Sequence, residues 1–343
     1  MQNVISYFNT LHSQLMDPDR IPLAITAVAL AAILGVITGP LAANANPFLW
    51  IFYDKILGSF GDRLDRLHRS PADLAFRGFT LTALGLAIGL VIGKFYAILV
   101  FEKPISGMTE VILLSTLITS GSVWYALLRL YFAQEKKQPT KGAYLAISCS
   151  ARINLAAADD FGIARAGMSF SARVFDKGLV APVFWYLVGG LPLAVIYASL
   201  AALAWRFGKD GFSKGFGAVP LALEKLLGYV PSLYAALLIN LATIVTPTAA
   251  IHKGLAAWFG HKNRAPYEQG GYPLSALAWS LNLSLGGASQ DLSGSAIHGI
   301  WVGPDGATSR NDHKHLRRAI YINFAATILL MATLCGAYLW SGL

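Results

Sequence analysis

Six long apolar stretches organise this chain: Ile21–Ala43, Gly78–Phe101, Met108–Phe132, Leu179–Trp205, Val230–His252 and Arg318–Trp340. About 20 mostly apolar residues cross a hydrocarbon core of about 30 Å at 1.5 Å per helical residue. In lipid the backbone has no water to bond, so each stretch must satisfy its own N–H and C=O groups as a helix. Core helices of a large soluble protein would be shorter and amphipathic. The pattern therefore predicts an all-α fold: a polytopic membrane helix bundle of about six transmembrane helices. Residues 1–343 form a single integral membrane domain, with large helical loops near 44–77, 133–178 and 253–317.

Composition agrees with the pattern. Hydrophobic residues make up 55% of the chain and charged residues 13%, against about 25% charged in an ordinary soluble domain. Met1–Arg20 lacks the basic start and the A-x-A-like cleavage site of a signal peptide. It reads as a short amphipathic lead-in to an uncleaved first helix. Cys149 falls in a loop and Cys335 in the last helix, so neither a disulfide nor a cysteine metal site is expected.

Charge orients the bundle. If the loops alternate sides, eighteen Lys and Arg residues fall in the three large loops and six on the opposite side, namely Arg20, Lys103, Arg206, Lys209, Lys214 and Lys225. Cytoplasmic loops are enriched in Lys and Arg. The expectation is a bacterial cytoplasmic (inner) membrane protein with basic loops inside and both termini outside. Membrane lipids are the partners this composition demands, and other membrane subunits are compatible with it. The net charge of +9 is accounted for by anionic headgroups, so no nucleic acid is called for.

Polar positions add detail. Gly189-Gly190-Leu191-Pro192 interrupts the fourth stretch and predicts a kink, read mainly as close packing through small residues. Asn240, Thr243 and Thr246 in the fifth stretch read as interhelical glue. No carboxylate stands at the centre of a stretch, which weakens an ion-coupled transporter. Asp159-Asp160 is a carboxylate pair of the kind that holds magnesium, though such pairs more often cap a helix. The glycine-rich run through Ser284–Ser289 and Gly299–Gly306 matches neither the P-loop nor the dinucleotide pattern. Asp312-His313-Lys314-His315 reads as a charged lead-in to the last helix, and His298 stands alone.

Four segments in order carry a family resemblance. Asp17-Pro18-Asp19-Arg20-Ile21-Pro22 resembles the G-D-P…P-H-P-V opening of the CobD/CbiB proteins of cobalamin biosynthesis. Val180 to Pro192 resembles their I-A-P-L-F-W…L-G-G-x-P segment. Ala265-Pro266 to Gly271-Tyr272-Pro273, Ser275-Ala276 and Leu285-Gly286-Gly287 resemble S-P-N-S-G-Y-P-E-A…L-G-G. Trp301-Val302-Gly303 resembles K-P-W-I-G. The resemblance, which extends distantly to AmpE-type membrane proteins, implies an adenosylcobinamide-phosphate synthase. Such an enzyme attaches aminopropanol, or its phosphate, to a corrin carboxylate by ATP-dependent amide ligation, with Mg-ATP as cofactor and a corrinoid substrate as partner.

The departures from the family pattern are chemical. The family's E-N-T-V-D aligns with Arg173-Val174-Phe175-Asp176-Lys177, and its N-T-L-D-S with Ala201–Trp205. The acidic pair before the fifth stretch becomes Glu224-Lys225, the opening histidine is Leu23, and the Asn of S-P-N is Tyr267. Basic residues at 173 and 177 invert the local charge, so a magnesium ion would need Asp176, Glu224 or Asp159-Asp160 as substitutes. The candidate catalytic residues are accordingly Asp176, Lys177 and Arg173. Arg152, Asn154, Tyr272, Gly286, Gly287 and Trp301 are the candidate substrate-binding residues, and Asp159, Asp160 and Glu224 the candidate metal ligands. The competing expectations are a catalytically eroded relative with a regulatory or assembly role and, least supported, a small-molecule transporter.

Overall fold

The computed structural model describes residues 17–66, 69–101, 106–137, 141–156, 158–213, 215–260 and 263–341. Most of the lead-in at Met1–Arg20 lies outside these residues, as do Lys103, Lys214 and Lys262 of the charge pattern. The described residues are 75% helical. By length and composition five helices among the described residues can cross a membrane, or six if a bent pair counts as one span. Large apolar side chains such as Ile37, Phe79, Val91 and Val230 lie more than half exposed along these helices, which is the surface a bilayer covers.

The first helix, α1 (Arg20–Thr38), and the long α3 (Pro71–Phe101) lie close to the predicted stretches, and α2 (Phe48–Leu64) joins them. The third stretch is not one helix. It splits into α4 (Ser106–Leu117) and α5 (Gly121–Glu135), bent by 40° across Ile118-Thr119-Ser120. Gly121 explains how closely α5 meets α1: a Cβ there would stand 1.9 Å from the Ala32 carbonyl oxygen. Small residues at a helix crossing allow this approach.

After α6 (Lys141–Ala151), α7 (Asp160–Phe175) runs through a π-helical turn at Asp176–Val180 into α8 (Ala181–Phe207). The kink expected in α8 is a full break. Gly189 has φ −144° and Gly190 has φ 70° with ψ −165°, a backbone region that essentially only glycine enters. The chain turns back there. Lys177 and Tyr197 both bond to the carboxylate of Glu224, at 3.0 and 2.9 Å, whereas an unbroken helix would hold them about 30 Å apart.

This reversal corrects the alternation of sides. Arg206 reaches Asp54 and Asp62, and Lys209 reaches Asp291. Both basic residues therefore share a face with the large loops rather than standing across the membrane from them. The fifth stretch also shifts: α9 (Ala218–Ala242) begins before Glu224 and ends in a short 3-10 turn at Thr243–Val245. Hydropathy places that start too late because Glu224 and Lys225 interrupt the apolar run. One consequence is that a carboxylate does lie buried inside a spanning helix.

The last large loop is built from α10 (Ile251–Phe259), α11 (Gly271–Leu281) and two minimal antiparallel sheets. Strand β1 (Leu285–Gly286) pairs with β4 (Trp301–Val302), and β2 (Ser289–Gln290) with β3 (Ala296–Ile297). Asn154 donates to Gln290 O at 2.8 Å, fastening this wall to the end of α6. The chain then enters α12 (His313–Ser341), where Asn323 donates to Ser171 O and accepts from Trp124. Asp312 caps the start of α12 and pairs with His315, in line with the lead-in reading of that segment. Both cysteines are free.

Candidate functional site

A cavity of about 460 Å³ opens where α7, the end of α8 and the β1–β4 wall converge. Arg152, Arg165, Arg173, Lys177 and Lys209 line it, against the carboxylates of Asp159 and Glu268. The surplus of positive charge in a partly enclosed space favours an anionic ligand.

Each cation is placed by local structure. Arg173 and Lys177 lie four residues apart, one turn of helix, and so point to the same side. Arg152 follows the end of α6 with φ 57°, a left-handed conformation uncommon outside glycine. That turn lays its guanidinium over the Trp205 ring at 5.6 Å, with Asp54 at 3.5 Å. Arg165 stacks on Trp301 at 5.2 Å and donates to Ser309 O. Lys209 is paired with Asp291 at 2.6 Å. Arg173 has no carboxylate partner among the described residues: Nη2 lies 3.5 Å from Ala151 O, and the buried Nε has no partner.

Below the cavity floor lies a closed polar cluster. Lys177 Nζ meets Glu224 Oε2 at 3.0 Å and the Tyr267 carbonyl oxygen at 3.5 Å. It also sits 3.9 Å from the centre of the Tyr267 ring. Glu224 Oε1 accepts from Tyr197 at 2.9 Å and from Tyr267 at 2.7 Å. Burial, then the neighbouring Glu224 carboxylate, push the Tyr267 phenol well above its ordinary pKa. Asp176 is 1% exposed, and neither of its carboxylate oxygens accepts a well-formed hydrogen bond, with the Ser232 hydroxyl as a near neighbour.

The wall over the cavity is held electrostatically as well as by backbone. Burial alone would raise the Asp291 carboxyl. The hydrogen bonds from Lys209 and Ser293, with the charges of Lys209 and Arg152, outweigh it and hold the group below its usual range.

No solved structure matches the chain. A model of the CobD/Cbib protein family matches residues 26–323. The chain belongs to the CobD/CbiB family. Among its relatives, the cobalamin biosynthesis protein CobD of Brucella anthropi is 26% identical over 71% of this chain and 77% of its own length. CobD of Sinorhizobium sp is 26% identical over 69% and 74%, respectively. A probable cobalamin biosynthesis protein CobD of Methanococcus aeolicus is 24% identical over 75% and 83%.

In this family member the sequence-derived candidates divide. Arg152, Asn154, Arg173, Lys177, Gly286 and Gly287 all line the cavity. Trp301 stands just behind that lining, packed on Gly287 and under Arg165. Asp176 and Glu224 are buried beneath the floor. Tyr272 lies outside the lining, in an aromatic cluster with Tyr229, Trp258 and Arg264.

The three proposed metal ligands are not brought together. Asp159 caps α7 by accepting from Gly162 N at 2.7 Å, and Asp160 faces a separate cavity beside Gln134 and Tyr144. Glu224 pairs with Lys177, which lies about 27 Å along the helix from Asp159. Among the described residues no group of three His, Cys, Asp or Glu side chains is placed to hold a metal.

Sequence reasoning misses Arg165, Lys209, Glu268 and Tyr197. Only Glu268 carries a usable signal, since it stands inside a segment of family resemblance. Lys209 falls on the wrong side in the charge pattern because nothing in hydropathy distinguishes a chain that crosses from one that folds back.

Proposed function

We propose that this protein attaches aminopropanol, or its phosphate, to a corrin carboxylate in an ATP-dependent amide ligation. It would do so from the cytoplasmic face of the cell's inner membrane. The single observation that supports this most is the cation-lined cavity, whose wall at Glu268, Gln269, Gly286 and Gly287 comes from the segments of family resemblance. Its substrates, a carboxylate, a nucleotide and a phosphorylated amine, are anionic, and Arg152, Arg173 and Lys177 all line it.

The nucleotide would supply a phosphoryl group that makes the carboxylate electrophilic. Arg152 and Arg173 would hold phosphate charge, and Arg173 suits this role because no carboxylate among the described residues competes for it. The volume of about 460 Å³ fits a small molecule or one side chain of a large macrocycle. The corrin ring therefore stays at the mouth while a single carboxylate arm enters. The wall at Gly286 and Gly287 bounds the cavity, and water kept out on that side would favour aminolysis over hydrolysis.

Phosphate fits these residues, whereas a protein-held magnesium ion does not. Asp159 is engaged as a cap and Glu224 as the partner of Lys177, so no step is routed through such an ion.

The test is turnover by purified protein given ATP, a corrin acid and aminopropanol phosphate, read as an amide product by mass spectrometry. A deletion strain should require cobinamide or cobalamin. Absence of both turnover and the growth requirement would leave the regulatory relative as the better reading.

A further inference from the structure

Every oxygen of Glu224 is committed, and this is the telling feature of the cavity floor. Oε2 accepts from Lys177, and Oε1 accepts from two phenols. The ammonium of Lys177 is ringed by a carboxylate oxygen, a carbonyl oxygen and an aromatic face at 3.0, 3.5 and 3.9 Å. Oxygen ligands and a π-face are what a buried cation requires. Asp176 lies in the adjoining position, 1% exposed, with neither oxygen accepting a well-formed hydrogen bond. A carboxylate in that setting needs a nearby positive charge, and Lys177 and Arg173 flank it in sequence.

We propose that Lys177 is the resident cation of this cavity: its ammonium occupies the place of a metal ion against the carboxylate of Glu224. Phosphate-bearing ligands then bind at the floor, through Lys177 and Arg173, without a protein-held divalent cation. This builds on the cavity being the substrate site, though not on ligation itself. It also gives the inverted charge at 173 and 177 a purpose. Removing the ammonium leaves the buried Glu224 carboxylate without its cation, with a second buried carboxylate at Asp176, and uncompensated buried carboxylates attract a divalent ion.

The experiment uses full-length protein in lipid nanodiscs, with Mn²⁺ alone and inorganic pyrophosphate as probes. Pyrophosphate binding by calorimetry should be unchanged within about twofold when EDTA is added, and should weaken at least tenfold in Lys177→Gln. By electron paramagnetic resonance the natural protein should show no saturable Mn²⁺ site that depends on Glu224. Lys177→Asp should gain one, and adding Glu224→Gln should remove it.

The proposal fails if EDTA abolishes pyrophosphate binding, if pyrophosphate does not bind, or if the natural protein holds a Mn²⁺ ion that Glu224→Gln releases. A folded Lys177→Asp protein that gains no Mn²⁺ site counts equally against it. Should Lys177→Asp not fold, the EDTA comparison on the natural protein decides. These are binding measurements, so an absence of ligation leaves them informative, and their failure leaves the ligation assay intact.

Discussion

Two long apolar segments of this protein have opposite uses. Helix α3 (Pro71–Phe101) is continuous and lined with exposed apolar side chains such as Phe76, Phe79, Leu90, Val91 and Phe95. The segment from Asp160 to Phe207 contains a stretch nearly as apolar, but it also contains a π turn and a glycine break, and most of its side chains are buried. Apolarity places both in the membrane. The interruptions alone turn the second into a site, by folding it back so that Lys177 and Tyr197 reach one carboxylate.

The comparison can be broken most severely at the buried pair. Glu224→Ala leaves the largely buried ammonium of Lys177 without its carboxylate partner. Loss of one partner of a buried pair costs about 3–5 kcal/mol, so a large fall in monodisperse yield and melting temperature is expected. The double change Lys177→Met/Glu224→Leu should recover part of it, because the two charges of the pair leave together and only Asp176 loses a nearby cation.

The glycine break comes next. Gly190→Ala forces a side chain into a backbone region that costs about 1–3 kcal/mol, and the added Cβ would meet the Arg20 guanidinium at 3.5 Å. A lowered melting temperature is expected in detergent. An unchanged value would show that the break is not required.

Arg173→Gln should spare stability and reduce turnover. Hydrogen bonds to charged groups contribute about 1.5–3 kcal/mol, which corresponds to a loss of about 10- to 150-fold in kcat/KM. If kcat/KM is unaltered, Arg173 does not hold substrate.

A smaller effect attaches to the wall. Asp291 has a folded-state pKa below its unfolded value, so its pairing with Lys209 stabilises the wall above the ordinary carboxylate pKa of about 3.9. That contribution disappears as pH falls through the lower, folded value. Acid should therefore raise hydrogen exchange at Leu285–Val302, and Asp291→Asn should remove the pH dependence. The smallest effect is on the lipid side, where Leu90→Ala on α3 should change stability by about 0.5 kcal/mol or less.

Much of the site is legible in the amino-acid order. Arg152, Asn154, Gly286 and Gly287 are far apart along the chain yet line one cavity, and Gly286 and Gly287 belong to a segment whose place in the chain matches a family pattern. Asp159 is open to two readings, and the capping one prevails because its oxygen meets Gly162 N. Position in a motif points Tyr272 to the site, whereas its ring meets Trp258 edge-on and lies under Arg264, outside the cavity lining. Glu224 resembles a metal ligand only while its partner is hidden: Lys177, 47 residues away, is not visible in a linear pattern.

The sequence by itself determined that this chain lives in lipid, that its long segments are helices, and that it falls in the CobD/CbiB pattern. These follow from local quantities: the length of apolar runs, the need to satisfy backbone polar groups without water, and short motifs in order. Only the tertiary structure decided that the segment with two glycines folds back, that Arg206 and Lys209 join the basic loops, and that an ammonium fills the centre of the polar cluster. Those outcomes depend on which distant groups meet, and a buried charge is stable only beside the partner that folding brings to it.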